Sequence, residues 1–265
     1  HLRTRRQRQM CIRDRMGPMS SSSGVTIGPM EALALVPPEI LRYVIARSKI
    51  GRHIEFDTGE ALFEMADEYE RLLTRLDEGE ITKRMRTRID TREGALRMSQ
   101  VERGSDPLET FAGVSFRHLA MLAQIKSTDD EVWLSLRKSN HISGEPSKSI
   151  ISRLSKMRNW VESEHFPETA RISVQTEIDE DTRRDISDDQ VSFLKELSMN
   201  LSSCDWIENS ITDAIRNSIK NSDITGKDAF SGIYLAILGA KHGPRASSLI
   251  AEIGREDVLA ILSVV

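Results

Sequence analysis

Pro-Met-Ser-Ser-Ser-Ser-Gly at residues 18–24 is followed by Val-Pro-Pro-Glu-Ile-Leu-Arg-Tyr at 36–43 and by Arg-His-Ile-Glu-Phe-Asp at 52–57. A serine-rich loop that ends in glycine can direct several hydroxyl and backbone N–H groups into one concavity, which suits a triphosphate. The same composition is more often that of a flexible linker. The loop alone therefore leaves a phosphate-binding site and a linker both open.

The chain that follows the loop has helical periodicity. Pro38 can serve as the first residue of a helix, and capping boxes at Thr128…Glu131 and Ser187…Gln190 predict two later helix starts. An apolar stripe over 230–238 stops at Gly239. Other stripes are Ile40, Leu41, Val44 and Ile45; Leu62, Met65, Tyr69, Leu72 and Leu76; Ile150, Leu154, Met157 and Val161; and Ile207, Ile211, Ala214 and Ile215. Because no segment alternates with period two, the predicted fold is all-α.

The first fifteen residues differ in composition from the rest. They hold six of the 37 basic residues of the chain but one of its 41 acidic residues. Residues 9–15, Gln-Met-Cys-Ile-Arg-Asp-Arg, resemble translated sequencing-adapter read-through, so we interpret 1–15 as a non-native leader and exclude it from fold reasoning. A basic RNA-binding arm and a mitochondrial-type presequence are the alternative interpretations.

The remaining composition indicates an ordinary globular protein, with 38% hydrophobic and 29% charged residues. No apolar run approaches the roughly 20 residues that span a bilayer, so a membrane role is not supported. Cys204 is the lone cysteine outside the leader, which excludes an internal disulfide there and fits a reducing cytoplasm. Since neither Cys-x-x-Cys nor His-Glu-x-x-His occurs, we expect no structural metal.

The three opening stretches, together with Phe-Ser-Gly-Ile-Tyr-Leu-Ala-Ile-Leu-Gly at 230–239 and His-Gly-Pro-Arg at 242–245, resemble class I lysyl-tRNA synthetases. That family carries a Lys-Met-Ser-Ser-Ser-Lys-Gly loop, a Pro-Pro-Glu-Val-Leu-Arg-Tyr helix, an Arg-His-Ile-Asp-Phe-Asp segment and a C-terminal Tyr…Leu-Gly…Gly-Pro-Arg element. The resemblance runs from about Met19 to the C-terminus, with a weak middle. It implies the helical tail of a class I synthetase, in which the end of the catalytic core precedes an α-helical anticodon-binding cage.

The chain also departs from the family pattern. The His-x-Gly-His element of the nucleotide-binding domain is absent, so we expect a C-terminal fragment that lacks this domain and is inactive alone. The two loop lysines, which place positive charge on the phosphates, are replaced by Pro18 and Ser23. The resemblance implies ATP as cofactor, with Mg²⁺ as its counter-ion. The implied ATP-loop residues are Met19, Ser20, Ser21, Ser22, Ser23 and Gly24.

The implied partner is lysine tRNA. Cations that follow the loop are candidates for phosphate contacts: Arg42, Arg47, Lys49 and Arg52. Arg42 could instead pair with Glu39 or Asp57 and fix helix packing. A second basic run comprises Lys83, Arg84, Arg86, Arg88, Arg92 and Arg97, and its alternative interpretation is a solvated helix face. The candidates for reading the anticodon are Trp206, Tyr234, His242 and Arg245, whose alternative roles are in the core or at a turn.

The resemblance divides the chain into the leader at 1–15, a loop remnant at 16–28, a tRNA stem-contact region at 29–105 and an anticodon-binding region at 106–265. It implies part of a cytoplasmic lysine–tRNA ligase, the enzyme that uses ATP to attach lysine to its tRNA. The segment at 52–57 argues against the related glutamyl-tRNA synthetases. The alternatives are an all-α protein-interaction or scaffold domain that binds neither nucleotide nor tRNA, and a stand-alone tRNA-binding module.

Overall fold

The chain folds into two compact, mainly helical units. The computed structural model describes residues 12–14, 17–18, 27–49, 54–74, 83–108, 113–176 and 178–263. The first unit comprises His1–Leu119 and Glu145–Thr169, and the second comprises Ala120–Gly144 and Ala170–Val265. The all-α prediction is confirmed for the body of the chain. The functional division at residues 105 and 106 stays a prediction.

The first unit contains helices and one very small sheet. Its helices are α1 (Pro29–Leu35), α2 (Pro38–Arg47), α3 (Glu60–Thr74), α4 (Lys83–Ser99), the first turn of α5 (Phe116–Ile125) and α7 (Lys148–Glu162). The strands are β1 (Ile12–Asp14), β2 (Gly17–Pro18) and β3 (Ile54–Glu55), with β1 antiparallel to β2 and parallel to β3. Strands of two or three residues are too short to show period-two alternation, so the sequence did not predict them.

Helix α2 begins at Pro38, as predicted, because proline has no N–H to leave unpaired in the first turn. Its buried face is narrower than the predicted stripe: Ile40 and Val44 are buried, but Ile45 is 49% exposed. Tyr43 is buried instead, and its ring meets that of Tyr69 on α3 edge to face at 5.5 Å. The α2–α3 contact thus depends on an aromatic pair.

An aromatic cluster forms the centre of the first unit. The indole of Trp160 on α7 is fully buried, and its ring centroid lies 4.9 Å from that of Phe63, 5.4 Å from Phe116 and 4.8 Å from Phe166. Its Nε1 donates a hydrogen bond to the Thr58 carbonyl at 2.7 Å. Trp160 therefore buries a large ring without leaving its polar atom unpaired.

The second unit is built from helices with well-defined ends. They are the remainder of α5, α6 (Asp129–Lys138), α8 (Glu180–Asp185), α9 (Asp188–Ser203), α10 (Glu208–Asn221), α11 (Gly226–Leu238), α12 (Ala246–Ile253) and α13 (Arg255–Ser263). Both predicted capping boxes are confirmed, at the start of α6 and of α9. Helix α11 ends as predicted before Gly239, which adopts the left-handed conformation with φ of 64°.

In the second unit, two apolar residues of the predicted stripes do not belong to the core. Ile207 precedes α10 as its N-cap residue and is 57% exposed, and Phe230 on α11 is 40% exposed. Both residues lie near the start of a helix, where the helical stripe has few neighbours to pack against. Ile211, Ala214 and Ile215 are buried as predicted.

Candidate nucleic-acid interface

The candidate cations on and after α2 differ in how they are held. Arg42 is exposed and donates through Nη2 to the Met98 carbonyl at the end of α4, at 3.2 Å. Arg47 forms an ion pair with Glu68 on α3, and its guanidinium lies 5.9 Å from the ring centroid of Tyr43. Lys49 is exposed and has no hydrogen bond or ion pair with any residue that the structure describes. Arg52 lies outside the described residues.

Helix α4 carries the second set of basic side chains. Lys83, Arg86 and Arg88 are exposed and form no ion pair within the described part of the chain. Arg92 contacts Glu68 at 3.6 Å, and Arg97 contacts Glu93 at 3.9 Å. The first turns of α4 thus present cations to solvent, while the later turns bury Ala95 and Leu96, which join the Tyr43–Tyr69 core.

Glu68 on α3 pairs with two cations of this face, and the sequence did not reveal it. Its carboxylate contacts Arg47 from α2 and Arg92 from α4, and it accepts a hydrogen bond from the Tyr43 hydroxyl at 3.3 Å. Arg47 and Glu68 are 21 residues apart. An acidic residue on an amphipathic helix gives no sequence signal for a partner on another element.

The segment that precedes α12 carries His242 and Arg245, two of the anticodon candidates, and contacts a third, Tyr234. Tyr234 donates its hydroxyl hydrogen to the Pro244 carbonyl at 2.7 Å, and burial raises the pKa of this hydroxyl. Arg245 is the N-cap residue of α12, and its Nη1 lies 3.0 Å from Glu208 Oε1. His242 is exposed and has no polar partner among the described residues. Tyr234 therefore holds the loop that presents His242 and Arg245.

Trp206 packs at the other end of α12. Its Nε1 donates to the Ala251 carbonyl at 3.3 Å, and the guanidinium of Arg255 lies 5.3 Å from the ring centroid. Arg255 also donates to the carbonyls of Ser202 and Cys204, at 3.0 and 2.6 Å. The indole N–H and part of the ring surface are therefore in contact with other residues of the protein. The contact with the ring comes from Arg255, which the sequence did not reveal.

The ATP-loop candidates at 19–24 lie outside the described residues. Within the described ranges, no group of three or more His, Cys, Asp or Glu residues has an arrangement that could hold a metal ion. None of the helices found there is both long enough and apolar enough to cross a membrane. The metal prediction made from the sequence stays a prediction.

Two family models match separate parts of the chain. Residues 8–93 match the model described as "tRNA synthetases class I (K)", and residues 133–264 match the model described as "Anticodon binding domain". The first match includes α1 to α3 and most of α4. The second includes the Trp206 and Tyr234 neighbourhoods.

Curated relatives agree with these models. The chain is 28% identical over 246 residues to the lysine–tRNA ligase of Picrophilus torridus, covering 92% of this chain and 45% of that protein. It is 29% identical over 247 residues to the enzyme of Thermoplasma acidophilum (91% and 45%) and 29% identical over 244 residues to that of Archaeoglobus fulgidus (91% and 44%). The chain thus spans about 45% of the length of these relatives. These matches confirm the resemblance to class I lysyl-tRNA synthetases, through the synthetase model over residues 8–93, the anticodon-binding model over residues 133–264 and the archaeal lysine–tRNA ligases.

Proposed function

We propose that this chain supplies the tRNA-binding part of a lysine–tRNA ligase. The observation that carries the proposal is the match of residues 133–264 to an anticodon-binding domain. Because the chain spans about 45% of its relatives, ATP-dependent activation of lysine and its transfer to tRNA are proposed for the whole enzyme. In that enzyme the chain would work beside an N-terminal nucleotide-binding domain in the cytoplasm.

In this proposal the first unit contacts the tRNA backbone. A polyanion is bound by cations that replace its condensed counter-ions, so exposed cations on one face are needed. Lys49 after α2 and Arg86 and Arg88 on α4 are exposed and unpaired within the described chain, so each is proposed as a phosphate contact. Arg42 and Arg47 are also proposed phosphate contacts, although each has an internal partner. Arg52 is retained as a proposed contact.

The second unit is proposed to read the anticodon through the loop before α12. His242 offers a ring that can stack on a base and nitrogen atoms that can bond to its edge. Arg245 adds a guanidinium whose side chain is 69% exposed despite its ion pair with Glu208. Tyr234 and Trp206 are proposed to act mainly by holding this neighbourhood, since their polar hydrogens are donated to backbone carbonyls.

ATP handling is proposed for the loop at 19–24, with Mg²⁺ as the counter-ion of the nucleotide. Ser23 offers a hydroxyl where the resembling family has a lysine, so the positive charge on the phosphates would come from other residues. The loop would act only when the nucleotide-binding domain is also present.

The proposal is tested by binding the chain to a lysine tRNA transcript and to the same transcript with a changed anticodon, at two salt concentrations. Arg245→Gln is compared with Arg216→Gln, because both arginines are 69% exposed and ion-paired in the second unit. We expect the anticodon change and Arg245→Gln each to weaken binding of the lysine transcript. Arg216→Gln should affect both transcripts alike.

Equal and weak binding of both transcripts by the unaltered chain would contradict the anticodon assignment. That result would favour a scaffold domain that binds no tRNA, the alternative that the family matches do not favour. Discrimination that survives Arg245→Gln would retain the proposed function and move the reading residues elsewhere in the second unit.

A further inference from the structure

Three hydrogen-bond donors of the first unit converge on one carboxylate. Arg47 reaches Glu68 Oε2 from α2, Arg92 lies 3.6 Å from Oε1 and comes from α4, and the Tyr43 hydroxyl lies 3.3 Å from Oε1. Burial, and then the charge of Glu68, raise the pKa of Tyr43 to about 12, so its hydroxyl keeps its proton near neutral pH. The carboxylate therefore sits in a niche built for an anionic oxygen pair.

The niche opens to solvent on its cationic side. The side chain of Glu68 is 21% exposed, whereas those of Arg47 and Arg92 are 33% and 40% exposed. Each guanidinium has several N–H groups. In the structure, one nitrogen of Arg47 and one of Arg92 contact Glu68. A phosphate that approaches from solvent would meet the arginines before the carboxylate.

We propose that Glu68 is an internal competitor for RNA phosphate on the face formed by α2 and α4, and that it holds the affinity of this face below what its arginines alone would give. This inference rests on the proposed function. A phosphodiester and a carboxylate each offer two anionic oxygens that accept from a guanidinium, so they use the same donors. When phosphate binds, Arg47 and Arg92 exchange one acceptor for the other, and the Glu68 charge opposes the incoming phosphate.

The opposite role for Glu68 would be to position the two arginines for RNA. In that case its removal would let both side chains move and would weaken binding. The exposure of the arginines favours competition. Arg47 also keeps a contact that does not involve Glu68, since its guanidinium lies 5.9 Å from the Tyr43 ring centroid. The two roles predict changes of opposite sign in affinity.

The test compares Glu68→Gln with Glu64→Gln in the full chain, with a lysine tRNA transcript as the probe. Glu64 lies one turn earlier on α3, is exposed and has no ion pair within the described residues, so its replacement makes the same change in net charge. Glutamine retains an oxygen that can accept from Tyr43. We expect Glu68→Gln to bind roughly three- to fivefold more tightly at low salt, with a salt dependence steeper by about one phosphate contact. Glu64→Gln should change the affinity less than twofold.

A second pair of variants makes the mechanism specific. Adding Arg47→Gln to Glu68→Gln should abolish the gain, because the freed guanidinium is its source. If the unaltered chain binds the transcript but Glu68→Gln binds it no more tightly than Glu64→Gln does, the inference is overturned and the proposed function stands. An absence of binding by every variant would overturn both.

Discussion

Arg153 Nη2 lies 3.5 Å from Glu70 Oε1 inside the first unit, where the two side chains are 3% and 11% exposed. A second carboxylate, that of Glu39, lies 4.0 Å from Arg153 Nε. Burial raises the pKa of both glutamates, that of Glu70 to about 7, even though Arg153 and the Phe116 N–H favour its charged form. One buried cation thus faces two carboxylates, and Glu70 gains or loses its proton near neutral pH.

The first prediction concerns the pH dependence of stability. The folded chain holds the Glu70 proton up to a pH of about 7, while the unfolded chain releases it near 4.5. The contribution of this group is therefore complete below pH 4.5 and is lost as the pH rises through 7, by at most about 3 kcal/mol. We expect Glu70→Gln to flatten this decline and to be more stable than the unaltered chain at pH 8. Urea unfolding at a series of pH values measures it.

Glu64→Gln is the matched control, because Glu64 is exposed on the same helix. Its unfolding free energy should follow that of the unaltered chain across the series. If Glu70→Gln shows the same slope as the control between pH 5 and 8, the shared proton is not at Glu70.

The second prediction concerns the cation of the cluster. Arg153→Met keeps much of the volume but leaves Glu39 and Glu70 buried without the charge that faces them. Breaking a buried ion pair from one side costs about 3–5 kcal/mol, since the remaining charge is uncompensated. We expect that loss at pH 8 and a smaller one at pH 5, where Glu70 takes up its proton. Adding Glu39→Gln and Glu70→Gln should restore most of the stability.

Local sequence signals predicted the ends of helices well. Pro38 opens α2, the boxes at Thr128 and Ser187 cap α6 and α9, and Gly239 ends α11 in the left-handed conformation. Each of these signals acts within one turn of helix, so the residues that decide the outcome are next to one another in the sequence. The helical class and the synthetase resemblance could be obtained from the sequence for that reason.

Charges that pair across the fold could not be predicted in this way. Arg153 reads as an ordinary helix cation, yet it is buried against glutamates 114 and 83 positions earlier in the chain, Glu39 and Glu70. The competitor at Glu68 is a similar case, since its partners lie on α2 and α4. Only the packing of three helices decides which charged side chains meet. The sequence identifies the candidate cations, but it does not show which carboxylates pair with them.

The third prediction concerns the aromatic centre of the first unit. Trp160→Ala removes a fully buried indole that contacts three phenyl rings, and should cost about 3–5 kcal/mol of unfolding free energy. Trp160→Phe retains most ring contacts but leaves the Thr58 carbonyl without its donor, so a smaller loss of about 1–3 kcal/mol is expected. Urea unfolding monitored by circular dichroism distinguishes the two variants. Equal losses for the two variants would mean that the ring contacts contribute little.

The last prediction links the geometry of the second unit to RNA recognition. A Cβ at Gly243 would lie 2.8 Å from Leu238 Cδ1 and 3.0 Å from Tyr234 Cδ1, so Gly243→Ala must displace these side chains or the loop that carries His242 and Arg245. Gly226→Ala is the control, because a Cβ there at the start of α11 meets nothing within 4 Å. We expect Gly243→Ala to lose about 1–3 kcal/mol of stability and to reduce discrimination between lysine tRNA and its anticodon-changed form. Gly226→Ala should keep both, since alanine favours the helix.

Because Tyr234→Phe loses only the bond to the Pro244 carbonyl, it should weaken discrimination with a smaller loss of stability, of about 1 kcal/mol. Full discrimination in a destabilised Gly243→Ala variant would separate the loop from anticodon reading.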